Sequence, residues 1–269
     1  MKCTTACLLQ SLFLLAPGIG DGLLQADEVW LTPERFGVTP GATMAFSMTS
    51  GVAFRAGTIA VSPREAERVV ARLGNEMLAT VVSGEKTSPF SITVPRPGFV
   101  VLSLELKGQT IDLPFDRVEA RLRAIRASAA LREGWAEATG SGRWRETEVK
   151  RATAFVRVGE PEAGDRGWAV PLRRGLEVVP ERDPTVMRAG EELPVRVLSA
   201  GLPVADFALA FVSWEEKYEH VVVTDEAGRA SAPLEIAGRW LLRGTRLIRS
   251  NTAGRDWESE TTALVVEVR

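Results

Sequence analysis

The sequence predicts a mainly β protein of two β-sandwich-like units, the second of a prealbumin-like or immunoglobulin-like type, with a helical insertion in the first. Short runs of alternating apolar residues, separated by turns with Gly and Pro, indicate the strands. Two similar phrases, RPGFVVLSL at 96–104 and IAGRWLLRG at 236–244, indicate two units of related plan. The turn and strand residues that β-sandwiches commonly use could produce this likeness independently, and this explains the repeat almost as well as duplication does.

Residues 1–26 have the layout of a secretory signal peptide. Lys2 precedes an apolar stretch, 6–16, which is too short to span a bilayer permanently. We expect cleavage after Ala26, or alternatively after Gly20. The sequence therefore predicts a periplasmic or secreted product with no stable membrane span after the signal is removed.

Both cysteines of the chain, Cys3 and Cys7, lie within this signal. The mature protein would therefore have no thiol. A disulfide framework and a cysteine metal site are both excluded from the predicted mature chain.

The first predicted unit, 27–182, contains several strand patterns. Met44, Phe46 and Met48 alternate with small residues, which is the period of a half-buried strand. The runs FSITV, FVVLSLEL and TIDLPF indicate successive strands. One stretch, PREAERVVARL at 63–73, has helical spacing and begins with a proline, so it is predicted as a helix.

The helical insertion is predicted over 116–134. Apolar residues recur from Val118 to Ala129 at spacings of four, three and four, and Asp116 is the expected N-cap. The same segment carries a cluster of arginines, which we interpret as a solvated helix face. These are Arg117, Arg121, Arg123 and Arg126.

The second predicted unit, 183–269, has the most regular pattern. A connector rich in turn-forming residues leads to strands joined by tight turns. Two of these turns are 201–203 and 225–228, and in the latter Asp225 can bond its own backbone while Gly228 can adopt a positive φ. Regular short strands with such turns indicate a small antiparallel sandwich.

Composition and residue counts exclude several functions. The chain has 33 basic and 35 acidic residues and a net charge of −2, so we expect no nucleic-acid partner. The single histidine, His220, excludes a catalytic triad and a two-histidine zinc site. No Gly-x-Ser-x-Gly motif is present. Trp135, Trp144, Trp168 and Trp257 lie near breaks in the pattern and could line a groove.

Several phrases in order resemble a family of exported β-rich proteins of unknown activity, described as periplasmic components of nickel or cobalt transport. The resemblance covers nearly the whole mature chain. The matching phrases are WLTP at 30–33, LPFDRVEARL at 113–122, RATAFVRVG at 151–159, LEVVPERDP at 176–184, AGEELPVRVL at 189–198, TDEAGRA at 224–230, AGRWLLRG at 237–244 and DWES at 256–259.

The resemblance implies histidines at the start of the mature chain and in the strand after the GRWLLR-like phrase. Asp27 and Arg246 stand at these positions here. Imidazole suits nickel and cobalt, whereas a carboxylate favours harder ions and a guanidinium repels cations. The residues thus indicate that a high-affinity nickel site has been lost.

Three functions follow as hypotheses. The first is an exported, non-enzymatic binding or accessory protein for an unknown protein or small ligand, without a cofactor. Its candidate groove residues are Arg246, Asp256 and Trp257. The second is nickel or cobalt uptake, with Asp27, Glu28 and His220 as tentative ligands. The third is a carbohydrate-active enzyme that uses paired carboxylates, such as Glu258 with Glu260, beside exposed tryptophans.

Overall fold

The computed structural model describes residues 28–51, 54, 59–83, 89–137, 143–215, 218–254 and 256–269. The predicted signal peptide and Asp27 lie outside these residues. Strands dominate the described chain, which confirms the mainly β prediction.

The strands up to the helices are mostly short. They are β1 (Glu28–Pro33), β2 (Gly37–Val38), β3 (Thr43–Gly51), β4 (Ile59–Ala60), β5 (Ala66–Leu73), β6 (Glu76–Leu78), β7 (Thr80–Val82), β8 (Phe90–Thr93), β9 (Gly98–Leu106) and β10 (Gln109–Pro114). The helices are α1 (Phe115–Ala124) and α2 (Ala129–Glu137), besides single 3₁₀ turns at Pro63–Glu65 and Gly167–Ala169.

The strands after the helices include the longest of the chain. They are β11 (Arg143–Val158), β12 (Leu176–Pro180), β13 (Glu191–Ser199), β14 (Leu202–Pro203), β15 (Ala208–Ser213), β16 (Glu219–Val223), β17 (Arg229–Leu234), β18 (Gly238–Arg249) and β19 (Trp257–Val268).

The described strands form three sheets. A five-stranded sheet has the order β1-β3-β8-β7, with β4 on β3. A ten-stranded sheet has the order β16-β15-β18-β19-β11-β9-β5-β6, with β2 and β10 on β11. A four-stranded sheet has β13 paired with β12, β14 and β17. Strands from both predicted units meet in the large sheet, because β11 pairs in parallel with β19.

The large sheet is the middle layer of the molecule. Alternate residues of β9 enter different cores: Val100 packs with the five-stranded sheet, and Val101 packs with the four-stranded sheet. Leu241 and Leu242 of β18 divide in the same way. A strand covered on both faces needs apolar residues at consecutive positions. This explains why FVVLSL and RWLL are continuous rather than alternating runs.

Two predicted helices differ from the structure. Residues 66–73 form β5, paired with β9, and only Pro63–Glu65 is helical. The buried positions Ala71 and Leu73 have the strand period of two. The predicted helix 116–134 is instead the two helices α1 and α2. Asp116 lies in the first turn of α1 rather than at its N-cap, which is Pro114.

A third core joins the helices to the ends of β11 and β19. Trp144 and Trp257 stack with ring centroids 4.7 Å apart, and Trp135 packs edge-on against Trp144 at 5.0 Å. All three are buried, as is Trp168, so none of these rings lines an exposed groove. No described helix has the length and apolar character needed to cross a bilayer.

A buried ion-pair cluster lies beside these rings. Arg121 of α1 donates to Glu146 (Nη2 to Oε1, 2.5 Å) and to Glu148 (3.0 Å). Its side chain is only 3 % exposed, so the predicted solvated face is wrong for this arginine. Burial lowers the pKa of Arg121, but the hydrogen bonds and charges of the two glutamates outweigh burial and raise it above its ordinary value. The guanidinium is therefore held in its charged form.

Candidate functional site

A small cavity lies where the helices meet the large sheet. Its volume is about 160 Å³. Three separate segments line it: the turn between α1 and α2 with the first turn of α2, the loop before β15 with the first residue of that strand, and the second half of β18. The lining residues are Arg126, Ala127, Ser128, Leu131, Val204, Ala205, Asp206, Phe207, Ala208, Thr245, Arg246 and Leu247.

Arg126 reaches the cavity from an unusual backbone position. The N–H of Arg126 donates to the carbonyl of Arg123 (3.0 Å), and the N–H of Ala127 donates to that of Leu122 (2.9 Å). These two bonds form a Schellman C-cap, whose left-handed residue is usually glycine. Arg126 occupies that place with φ 52°. A side chain at this position costs about 1 kcal/mol of backbone strain.

The opposite wall is fixed by Thr224, which is buried. Its hydroxyl donates to the carbonyl of Val204 (2.7 Å) and accepts from the N–H of Phe207 (3.0 Å). Asp206, which lies between Val204 and Phe207 in the sequence, has φ 55° and an exposed side chain. Two non-glycine residues in the left-handed region therefore line one small cavity, and such strain is typical of functional sites.

Phe207 forms part of the cavity lining through a close approach to β18. A Cβ on Gly244 would lie 2.4 Å from its Cζ atom. Only glycine leaves room for this ring over the strand. Gly244 thus positions the loop that carries Asp206.

A chain of charges extends from Arg126 to the first strand. Arg126 donates to Glu219 (2.5 Å), and the same carboxylate accepts from Arg243 (2.8 Å). Arg243 also pairs with Glu28, whose side chain is 8 % exposed. Burial lowers the pKa of Arg243 from its ordinary value. The cluster connects the helix turn, the edge strand β16, β18 and β1.

Arg246 has a second charge cluster behind it. Its Nη1 donates to the Ser199 hydroxyl (2.9 Å) and lies 3.9 Å from the Glu260 carboxylate. Glu260 also accepts from Arg151 (2.7 Å), which donates to Glu105 (2.8 Å) as well. The acids behind both cavity arginines compensate their charge, and Asp206 adds a carboxylate. The cavity is therefore bipolar rather than strongly cationic.

This arrangement matches a small bipolar molecule. Each of the two guanidinium groups can donate to a carboxylate. The Arg126 group bonds to Glu219 on the face of β18 toward the five-stranded sheet, and the Arg246 group bonds to Ser199 on the opposite face. Binding of one carboxylate by both arginines therefore requires a change of side-chain rotamer. Asp206 can accept from an ammonium or hydroxyl group. A volume of about 160 Å³ corresponds to roughly five water molecules, which suits a ligand of a few non-hydrogen atoms.

Of the predicted groove residues, only Arg246 lines this cavity. Asp256 pairs with Arg145 (3.3 Å). Trp257 is 2 % exposed and belongs to the ring stack described above. Glu258 and Glu260, from the predicted carboxylate pairs, accept hydrogen bonds from Ser250 and Arg151 respectively.

The predicted metal ligands are distributed differently. Glu28 is buried against Arg243, which shares with Leu241 the face of β18 toward the five-stranded sheet. His220 is exposed on β16 opposite Phe211, a residue of the other face. No group of three or more His, Cys, Asp or Glu side chains within the described ranges could hold a metal ion. Because Asp27 lies outside those ranges, the full ligand set stays a prediction.

The sequence reasoning missed two cavity residues. Arg126 was assigned to a solvated face, and Asp206 was assigned no role. Nothing local distinguishes Asp206 in the phrase PVADF. Arg126 gave no local signal either, because the apolar helix pattern continues to Ala129 and no Gly or Pro marks the C-cap.

Comparison with known proteins gives one family and several distant structures. A family described as "Domain of unknown function (DUF4198)" matches residues 24–245. No curated protein matches the chain.

Three solved structures are similar at low identity. Three N-terminal domains of the bacteriophage RB49 outer capsid protein Hoc share 7 % identity with a TM-score of 0.23, over 90 % of this chain and 71 % of theirs. The Yersinia pseudotuberculosis adhesin InvE shares 11 % with a TM-score of 0.23, over 88 % and 58 %. Titin domains A168–A170 share 9 % with a TM-score of 0.20, over 87 % and 64 %. The chain thus spans less than two thirds of the adhesin and titin structures.

Proposed function

The chain belongs to the DUF4198 family of domains of unknown function, and we propose that it is an exported, non-enzymatic binding protein. Its ligand is a small amino-acid-like or hydroxy-acid-like molecule, held in the cavity between the α1–α2 turn and β18. The ligand carboxylate binds to Arg126 and Arg246, and its ammonium or hydroxyl group binds to Asp206.

The observation that carries the proposal is Arg126 at the C-cap. Glycine would remove about 1 kcal/mol of strain at this position. The fold itself gains little in return, because the Arg126–Glu219 pair is about one third exposed and such pairs contribute about 1 kcal/mol or less. A role of the guanidinium in ligand binding accounts for an arginine at this strained site.

The lining of the cavity supports binding rather than turnover. Its two hydroxyl-bearing residues are already engaged: the Ser128 hydroxyl accepts from the N–H of Leu131 (3.3 Å), and Thr245 bonds to Thr261 (3.0 Å). The partners of these hydroxyls are a backbone N–H and a threonine hydroxyl rather than a histidine or a carboxylate that could activate them. The proposal therefore assigns no catalytic residue.

Calorimetric titration with small organic acids tests the proposal. The panel pairs glycine with methylamine, alanine with ethylamine, glycolate with methanol and lactate with ethanol, so each acid has an analogue that lacks only the carboxylate. We expect saturable binding of at least one acid and none of its carboxylate-free analogues. Binding by no acid of this class, or steady turnover of a hydrolase substrate panel, would contradict the proposal.

Arg126→Gly is the decisive variant, because it removes the guanidinium and relieves the backbone. We expect the melting temperature to be unchanged or raised, and the affinity to fall about tenfold or more through loss of charge-assisted hydrogen bonds. Arg123→Ala is the matched control, since it removes an equal charge from the same helix at a side chain that is 71 % exposed. Its affinity should equal that of the wild type.

Export is tested separately. The proposal expects the protein in the periplasmic or secreted fraction with an N-terminus at Asp27. A full-length protein retained in the cytoplasm would refute export without affecting the proposed ligand site.

A further inference from the structure

The last strand of the ten-stranded sheet, β16, has no neighbour on its outer side among the described strands. It contains three consecutive valines, and Val221 and Val223 are 41 % and 59 % exposed. Natural proteins usually protect such an edge with Lys, Pro or a bulge. The five residues of β16 contain no Lys or Pro, and their register with β15 is regular.

The direction of the backbone groups along β16 follows from the bonds at its two ends. The N–H of Ser213 donates to the carbonyl of Tyr218, and the N–H of Thr224 donates to that of Phe207, each at 3.0 Å. In an antiparallel pair every second residue bonds to the neighbour, and the residues between point away. The outward residues of β16 are therefore Glu219, Val221 and Val223.

We propose that this edge pairs with β16 of a second copy of the chain, antiparallel about a two-fold axis at Val221. In that register Val221 lies opposite Val221 of the partner subunit, and Glu219 lies opposite Val223 of the partner subunit. Every outward N–H and carbonyl then faces an outward group, which gives about six backbone hydrogen bonds between the chains. The interface is isologous, as closed dimers require.

The charges on β16 are compatible with this pairing. The Glu219 carboxylate already bonds to Arg126 (2.5 Å) and Arg243 (2.8 Å) within its own chain. The register brings it beside an exposed valine rather than a second carboxylate, so no like charges lie directly opposite. His220 lies opposite Val222 of the partner subunit on the other face.

The size of this edge determines the expected affinity. Five residues span about 17 Å, and a stable interface usually buries about 800 Å² on each partner. One short strand pair provides less, so we infer a weak dimer that depends on concentration. The two-fold pairing occupies the edge in both copies and stops at two chains.

Sedimentation equilibrium over a range from about 10 μM to about 1 mM measures the association. We expect the average mass to rise from one chain toward two, with no larger species. An average mass of one chain over the whole concentration range would overturn the inference, even if the chain proved to bind some other protein.

Val221→Pro identifies the interface. The N–H of Val221 points outward, so proline removes an interchain donor without removing a bond to β15. This variant should remain monomeric, with a far-UV spectrum like that of the wild type. Val221→Thr is the matched control, because it retains the N–H and the β-branched shape, and it should still dimerise.

Amide hydrogen exchange gives a second measurement, which does not depend on a folded variant. In dilute protein the amides of Val221 and Val223 should exchange quickly, and those of His220 and Val222 slowly. At high concentration the Val221 amide should become protected. Dimerisation without this protection would place the interface elsewhere and refute the assignment. The result of these dimerisation experiments does not depend on whether the cavity binds the proposed ligand.

Discussion

Replacement of Arg121 by methionine should be among the most destabilising single changes outside the cavity. The side chain of Arg121 is 3 % exposed, and its partners Glu146 and Glu148 are 0 % and 4 % exposed. Removal of one member of a buried ion pair typically costs about 3–5 kcal/mol, because the remaining charge is left in the interior. Arg121→Met leaves two carboxylates in that position.

The hydrogen-bond partners that Glu146 and Glu148 keep in the variant determine how much of the range of about 3–5 kcal/mol is lost. Glu146 retains the indole N–H of Trp144 (2.7 Å) and the hydroxyl of Ser259, and Glu148 retains Lys150 (3.3 Å). These contacts satisfy part of each carboxylate, so we expect about 3 kcal/mol, the lower end of the range.

Urea denaturation at pH 7 measures this loss, with far-UV circular dichroism and tryptophan fluorescence followed together to test for a single transition. Arg123→Met is the control: its partner Glu119 lies four residues before it and both side chains are mostly exposed, so we expect a change below about 0.5 kcal/mol. The double variant Arg121→Met, Glu146→Gln should recover about 1 kcal/mol or more. Equal, small losses in the Arg121 and Arg123 variants would refute the reasoning.

Three further predictions concern other residues. Burial raises the pKa of Glu177 despite its backbone hydrogen bonds, so wild-type stability should increase relative to Glu177→Gln as the pH falls from 7 toward about 4 in a denaturation series. Hydrogen bonds from the Arg182 side chain and the Arg188 backbone lower the pKa of Glu191. The stability of the wild type relative to Glu191→Gln should therefore decrease as the pH falls through the folded-state pKa of Glu191. Gly244→Ala should destabilise the protein by about 1–3 kcal/mol in thermal melting, because the added Cβ would lie 2.4 Å from the buried ring of Phe207. Gly134→Ala lies in a helix with open space around it, so it should stabilise the protein by up to about 1 kcal/mol. Equal effects of the two alanine variants, or parallel pH profiles of the two glutamine variants, would contradict these assignments.

Much of the β architecture could be predicted from local pattern. Alternation at Met44, Phe46 and Met48 corresponds to β3, whose residues at these positions are buried. The continuous apolar run of β9 indicated a strand but not its two covered faces. That arrangement depends on two other sheets, and no local pattern encodes which strands they contain.

The helix errors have physical causes. Val69, Val70 and Leu73 satisfy helical spacing, yet β5 also has the strand period, and pairing with β9 decides between them. The division of the predicted helix at Arg126 was hidden because an arginine occupies the place of the expected glycine.

The candidate site was the least predictable feature. Arg126, Asp206 and Arg246 come from segments up to 120 positions apart in the sequence. That all three line one cavity depends on the packing of the helix turn against β18. Two of the three also require a left-handed backbone, which residue type does not indicate for arginine.

The central claim is that Arg126 and Arg246 bind one carboxylate ligand together. The most direct measurement is a titration of the best-bound organic acid, followed through the side-chain Nε–H resonances of the arginines. We expect the Arg126 and Arg246 signals to move together to saturation with a single dissociation constant, while the Arg123 signal stays in place. Arg126 and Arg246 signals that do not move, or that drift without saturation along with Arg123, would contradict it.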